Sequence, residues 1–237
     1  MVFTCLSFCQ SKFTEAPRKV PLPPANNRDA HVREMFANSQ VRAVRIDLEA
    51  GESTATAQHD RDFVIVSIGD SDFEFIGPVN SVPMSMHDSE VQVLKGHWPH
   101  RVHNKSQRAL HLVEIEVARG IVPERAVCGL NAPSCRESRF AYNEHDRYTT
   151  GTLFETPTIK LAKVEIDPQS DMPEHGHPGD HVMIALTDAS LTSTEVGGAS
   201  KDFNGHPGDA MWLAGGMVHS LANHGAQKAS FLTIDCK

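Results

Sequence analysis

No segment of the 237-residue chain holds the roughly 18 to 20 consecutive apolar residues that a membrane-spanning helix requires. A helical transmembrane protein is thereby excluded. Basic residues are also in short supply, with 22 Lys and Arg against 30 Asp and Glu and a formal charge of -8. A binder of phosphate backbones needs a basic face, so nucleic acid is not an expected partner. The five cysteines include no Cys-x-x-Cys pair, because Cys5 and Cys9 are four apart and Cys128 and Cys135 seven apart. A thiolate metal site is not expected. There is no Gly-rich phosphate loop, no Gly-x-Ser-x-Gly elbow and no Cys/His nucleophile pair with motif support. What remains is an ordinary globular composition, 40% hydrophobic with 16 Gly and 14 Pro, long enough for one large domain or two small ones.

Met1 to Cys9 are mostly apolar, but they lack a basic leading region and are short for the core of a signal peptide. As written the segment does not read as a signal. Ser7 and Cys9 ahead of Gln10 nonetheless suit a cleavage site, as the remnant of an export signal would. Cytosol and export both stay open. With them stays open the state of Cys128 and Cys135, a small disulfide loop if exported and thiols in a connector if cytosolic.

The chain is internally duplicated. Val41 to Glu49 (VRAVRIDLE) superimposes on Ile159 to Asp167 (IKLAKVEID), and Phe63 to Ile68 (FVIVSI) on His181 to Leu186 (HVMIAL), each 118 residues later. With one more residue inserted, Glu90 to Leu94 matches Asp209 to Leu213, His100 and Asn104 match His219 and Asn223, and Leu112 to Glu116 matches Phe231 to Asp235. Both copies, residues 41–117 and 159–237, consist of short alternating or β-branched apolar segments separated by Gly, Pro, Asp and Asn. This predicts an all-β sandwich or barrel in each. His-Pro-Gly-Asp occurs at 177–180 and 206–209, and Pro-Gly suits the centre of a type II turn. Residues 1–40 read as an N-terminal extension, in which Arg28 to Asn38 forms a turn or two of helix or an extra strand. Residues 118–158 read as a connector with a short helix near Glu137 to Tyr142.

The chemistry concentrates in Glu174 to Ile184 (EHGHPGDHVMI). His175 and His177 are two apart, so on a strand both imidazoles leave one face. Pro178 and Gly179 turn the chain and His181 opens the returning strand. His219 lies in the later run from Gly208 to Asn223 (GDAMWLAGGMVHSLAN).

In these residues the chain resembles the cupin superfamily. Its first motif reads Gly, five residues, His-x-His, three or four residues, Glu, six residues, Gly, and its second reads Gly, five residues, Pro-x-Gly, two residues, His, three residues, Asn. Here Gly208, Gly216, His219 and Asn223 match the second motif, with Ala214 in place of the proline. His175 and His177 match the first, His181 stands where the family has its glutamate, and Gln169 and Asp188 replace the two glycines. The resemblance covers about two thirds of the chain. It implies an all-β fold of two tandem double-stranded β-helix barrels of jelly-roll type, joined by a connector. It further implies one divalent transition metal, Fe, Mn, Ni, Cu or Zn, held by His175, His177, His181 and His219. Replacing the glutamate by His181 leaves four neutral imidazoles and an uncompensated ion, which favours an anionic small-molecule ligand and argues against an oxalate-decarboxylase-like reaction.

In the first copy Ala57 and Phe63 stand at the positions of His175 and His181, leaving His59 and His100, and His97 replaces the turn glycine Gly216. This copy is expected to keep the fold and to have lost the site. The run His97 to His103 (HWPHRVH) is expected to be exposed loop, and Glu174 to face outward by alternation. Met183 and Trp212 either line the second barrel or pack in its core. The expected function is a small-molecule metalloenzyme, dioxygenase-like, with no catalytic residue assigned. A non-redox isomerase or lyase, and a non-catalytic protein binding a metal or small ligand, are the alternatives. Either a monomer or a homodimer is compatible with the duplication.

Overall fold

The computed structural model describes residues 31–118, 143–145 and 147–237. Met1 to Cys9, the cysteines Cys5, Cys9, Cys128 and Cys135, and the helix expected at Glu137 to Tyr142 lie outside the described residues. Among the described residues there are strands and turns but no helix, and none long and apolar enough to cross a membrane.

The first copy forms β1 (Val32–Ala37), β2 (Val41–Leu48), β3 (Ala57–Gln58), β4 (Phe63–Ser67), β5 (Ser71–Ile76), β6 (Ser81–Met86), β7 (Val91–Leu94), β8 (Pro99–Asn104) and β9 (Leu110–Val117). The second follows with β10 (Asn143–His145), β11 (Tyr148–Glu155), β12 (Ile159–Ile166), β13 (Ser170–His177), β14 (His181–Ala185), β15 (Ala189–Glu195), β16 (Ser200–Gly205), β17 (Ala210–Leu213), β18 (Met217–Asn223) and β19 (Ala229–Cys236). Strand order is β1-β2-β9-β4-β7 facing β3-β8-β5-β6 in one barrel, and β10-β11-β12-β19-β14-β17 facing β13-β18-β15-β16 in the other. Apart from β10, which adds an edge strand to the second barrel, the two orders coincide strand for strand, and the fold is two jelly-roll barrels in tandem.

Of the two alternatives for Arg28 to Asn38 the extra strand is the one that forms, as β1 paired with β2. One expectation is corrected: β11 lies within the stretch read as connector, where it pairs with β12 over its whole length. These strands are themselves a repeat: β1 shifts register between Glu34 and Phe36 and β11 between Thr152 and Phe154, so each has a bulge at a phenylalanine, 118 residues apart. Alternation is broken at a bulge, which hides such a strand from a period-two reading.

Backbone geometry preserves the duplication where side chains do not. Ser89, His97 and Gln169 are the non-glycine residues with positive φ, at 63°, 66° and 52°. Their counterparts in the other copy are Gly208, Gly216 and Gly51, all left-handed. The turn is retained even when the residue best suited to it is lost. At 206–209 the expected turn forms, with Asp209 N–H donating to the His206 carbonyl and Gly208 at φ 86°. At 177–180 the glycine serves a different purpose, since Gly179 has no positive φ but a Cβ there would meet the Cys236 carbonyl at 2.0 Å.

Asn104 and Asn223 hold equivalent structural posts. Asn223 Nδ2 donates to the carbonyls of Ile166, Asp167 and Gln227, and Asn104 Nδ2 to those of Leu48, Glu49 and Arg108. Each amide ties a strand end to two loops, and each is buried.

The barrels meet back to back. Val64, Val66, Val113 and Ile115 of the first pack with Val182, Ile184, Leu232 and Ile234 of the second in one apolar cluster. The alternate residues Phe63, Ile65 and Leu112 point into the first barrel, and Met183 and Phe231 into the second. β4 and β14 are thus buried on both faces, which is why each contains an unbroken apolar run, Phe63 to Val66 and Val182 to Ala185. Polar contacts flank the seam: Gln40 Nε2 donates to Asp180 Oδ2 at 2.7 Å, and Arg45 Nη1 to the Pro207 carbonyl at 3.0 Å.

Candidate metal centre

Antiparallel pairing of β13 with β18 sets His175 opposite His219 and His177 opposite Met217. The 175/177 spacing puts both rings on one face, as the sequence predicts, and His219 joins them from the neighbouring strand. Ring centroids are 4.5 Å apart for His175 and His219, 5.2 Å for His175 and His177, and 5.4 Å for His177 and His219. One nitrogen from each ring lies within 4.8 Å of the other two.

Every Nδ1 in this trio is already engaged. His175 Nδ1 donates to the Pro173 carbonyl at 2.9 Å, His177 Nδ1 to Asp235 Oδ1 at 3.0 Å, and His219 Nδ1 shares a 2.6 Å hydrogen bond with Ser193 Oγ. Such partners fix ring orientation and leave Nε2 as the free donor atom. His219 Nε2 is buried with no hydrogen-bond partner. Burial lowers the pKa of His175, and burial together with a smaller effect of the same sign from His175 and His177 takes His219 down to about 4. Both rings are neutral at pH 7, the form that can donate an electron pair to a cation.

His181 enters differently. It is buried and stacks on His177, with ring centroids 4.0 Å apart and planes 18° apart, and its Nδ1 has no partner. Its ligand atom forms a close group with those of His177 and Asp235, all within 4.8 Å, rather than with His175 and His219. The four histidines thus converge as two triads sharing His177. Burial, then the neighbouring His177, bring His181 to about 4.

Asp235 is the residue that the sequence reading missed. It ends an inward-facing row Phe231, Thr233, Asp235 on β19, and an acidic residue continuing the buried face of a core strand was the available signal. Burial raises its pKa, but the hydrogen bond from His177 and the charges of His177, His181 and Lys160 outweigh this and hold it below the usual carboxylate range. Its negative charge corrects the expectation of a site made of neutral imidazoles alone. A carboxylate absent from the glutamate position is supplied from another strand.

The first barrel has none of this openness. His59 lies between two carboxylates, with Nδ1 hydrogen-bonded to Glu116 and Nε2 3.4 Å from Glu114 Oε2, while Arg42 Nη1 reaches Glu116 at 3.2 Å. Phe63 stacks on His59 at 4.2 Å, and His100 sits against Trp98 at 4.2 Å and Phe75 at 4.9 Å. Among the described residues no group of three donor atoms meets the same closeness here. The run His97 to His103 is not an exposed loop: Pro99 to Asn104 form β8, and His100 is 2% exposed inside the barrel, where the returning strand places every second side chain.

Over the second-barrel imidazoles opens a cavity of about 810 Å³, walled by Met172, Met183, Met211, Leu191 and Leu221. Met183 faces inward as its alternation with His181 predicts, whereas Trp212 packs against the seam between barrels as well as bordering the cavity. Glu174 is exposed.

No family model and no curated protein matches the sequence. Solved structures do match. AerE from Microcystis aeruginosa superimposes with a TM-score of 0.65 over 93% of this chain and 97% of its own, at 11% identity. Oxalate decarboxylase of Bacillus subtilis, a protein described with Mn(II) centres, does so with a TM-score of 0.61 over 84% of this chain and 69% of its own, at 15% identity. At such identities the similarity is one of fold, and it agrees with tandem cupin-type barrels.

Proposed function

We propose that the second barrel binds one divalent transition-metal ion and that the chain is a small-molecule metalloenzyme of dioxygenase-like type. His175, His177 and His219 would hold the ion, and His181, whose ligand atom groups with those of His177 and Asp235, would complete the four from the His177 side. The observation that carries the reading is the trio of imidazoles with every Nδ1 occupied and Nε2 of His219 buried without a partner, since a buried polar atom without a partner needs an explanation and a cation supplies one. Neutral imidazoles suit Fe, Cu, Ni or Zn, and the fold neighbour with Mn(II) centres adds Mn. The ion would supply a Lewis-acid or redox centre. The chain's own residues orient it: Asp235 aims His177, Ser193 aims His219, and the apolar walls keep bulk water from the imidazoles.

One observation favours a second reading, a non-redox isomerase or lyase. Asp235 is an ionised carboxylate beside the imidazoles and could take up a proton from a bound carbonyl compound.

Elemental mass spectrometry on protein purified without chelator, beside His219→Ala, tests the metal. About one ion per chain, lost in the variant, is the expected result. No metal even after reconstitution overturns the proposal. Oxygen uptake with turnover then separates the two reactions, because only the dioxygenase consumes it.

A further inference from the structure

The cavity over the imidazoles has walls that a metal centre alone does not require. Met183 and Met211 stand opposite each other on β14 and β17, Met172 and Leu221 on β13 and β18, and Met217 follows at the start of β18. Thioether side chains are unbranched and adapt to irregular apolar shapes. A volume of about 810 Å³ lies in the upper part of the range, about 300 to 1,000 Å³, of pockets that envelop drug-sized ligands. A compact diacid the size of oxalate would leave most of that apolar wall against water.

Charge around the cavity nearly cancels. Lys160, Lys201 and Lys237 line it together with Glu155, Glu195, Asp202 and Asp235, so the side chains sum to one negative charge. Of these carboxylates Asp235 is the one at the imidazole end, where it accepts from His177. One divalent ion beside one carboxylate leaves a single positive charge to be met by the ligand.

We infer that the second barrel takes a monoanionic small molecule with a predominantly hydrocarbon body, its carboxylate or enolate oxygens toward His175, His177 and His219 and its body against the methionines. The inference rests on the metal-centre reading. It assigns the ligand a polarity at each end: one charged head at the imidazoles, and an apolar remainder against the methionine and leucine walls.

Isothermal calorimetry on the metal-containing full chain tests this with three probes: 2-naphthoate, 2-naphthylmethanol and oxalate. Binding of 2-naphthoate at least tenfold tighter than either of the others is expected. Met211→Gln and Met217→Gln, both at partly exposed positions, are expected to weaken 2-naphthoate at least fivefold while leaving oxalate binding and metal content unchanged. Oxalate binding as tight as 2-naphthoate overturns the apolar body, and 2-naphthylmethanol binding as tight overturns the anionic head. Metal content, measured on the same samples, reports separately on the metal centre: a chain that takes up no ion sinks that reading, while the ratio of 2-naphthoate to oxalate still decides the ligand class.

Discussion

Asp235 accepts a hydrogen bond from Nδ1 of His177 at 3.0 Å, tying β19 to the end of β13. One repeat earlier Glu116 of β9 holds His59 through the same ring nitrogen. The brace is common to both barrels, whereas the open imidazole cluster belongs to the second. What differs is the rest of the ring's surroundings: His177 lies within reach of ligand nitrogens of His175 and His219, and His59 Nε2 is faced by Glu114.

Asp235→Asn keeps an acceptor for His177 but removes the charge. Metal affinity is expected to fall by about 10- to 100-fold, the usual cost of losing a partner behind a metal-bound imidazole. A competition titration against a coloured chelator measures it. His177→Ala is expected to abolish binding altogether, and unchanged affinity in both variants would place the ion elsewhere.

His59→Ala is expected to leave metal content unchanged and to cost about 3 to 5 kcal/mol of stability, because it strands Glu114 in the barrel without its cation partner and leaves Glu116 to Arg42 alone. Denaturant unfolding gives the second number. Equal metal loss in His59→Ala and His177→Ala would show that the first barrel binds an ion too.

The first barrel also sets a pH dependence. Burial takes His100 down to about 4, so between pH 6.5 and 4 the unfolded chain binds a proton that the folded chain refuses. Stability therefore falls as pH drops through that window, by on the order of 3 kcal/mol from this group. His59 runs the other way. Burial lowers its pKa, but the hydrogen bond to Glu116 and the charges of Glu114 and Glu116 raise it overall, so its contribution is complete below pH 6.5 and is lost as pH climbs through the raised value. Thermal unfolding across pH is expected to show a maximum near the ordinary histidine range, and His100→Gln to flatten its acid side. An acid limb equally steep in that variant would rule His100 out as its source.

Much of the architecture could be read from sequence because a duplicated chain supplies its own comparison. The match of His181 to Phe63 and of His175 to Ala57 separates the two interiors without any structure. Asp235, Glu114 and Glu116 escaped for a common reason: each acts on a histidine 55 or more residues away, and pairing at that distance is fixed by barrel closure rather than by local pattern. The strand β8 was misread because its histidines looked like a polar loop, while His100 packs on aromatic rings from β4 and β5.

Asp180 offers a test of how the barrels communicate. Its Oδ1 accepts from Gly215 N–H at 2.7 Å and its Oδ2 from Gln40 across the seam, so one carboxylate clamps the turns that lead into His181 and His219. Asp62, its counterpart, accepts from Gly96 N–H in the same way but takes Lys95 of its own barrel as the second partner. Gln40→Ala is expected to weaken metal binding severalfold with a loss of about 1 kcal/mol in stability, and Asp180→Ala to do more of both. An effect on stability alone would confine the clamp to holding the fold.

The apolar cluster between the barrels has a consequence for any attempt to divide the molecule. Cutting the chain between the repeats would lay bare Val182, Ile184, Leu232 and Ile234 on one fragment and Val64, Val66, Val113 and Ile115 on the other. Neither fragment could remain solitary in water, and because the two faces arise from matching strands, each would recruit a second copy of itself as a surrogate for the lost half. The covalent link makes an unequal partnership permanent, so that one side can keep an open cluster of imidazoles while the other closes its interior and is retained for its back.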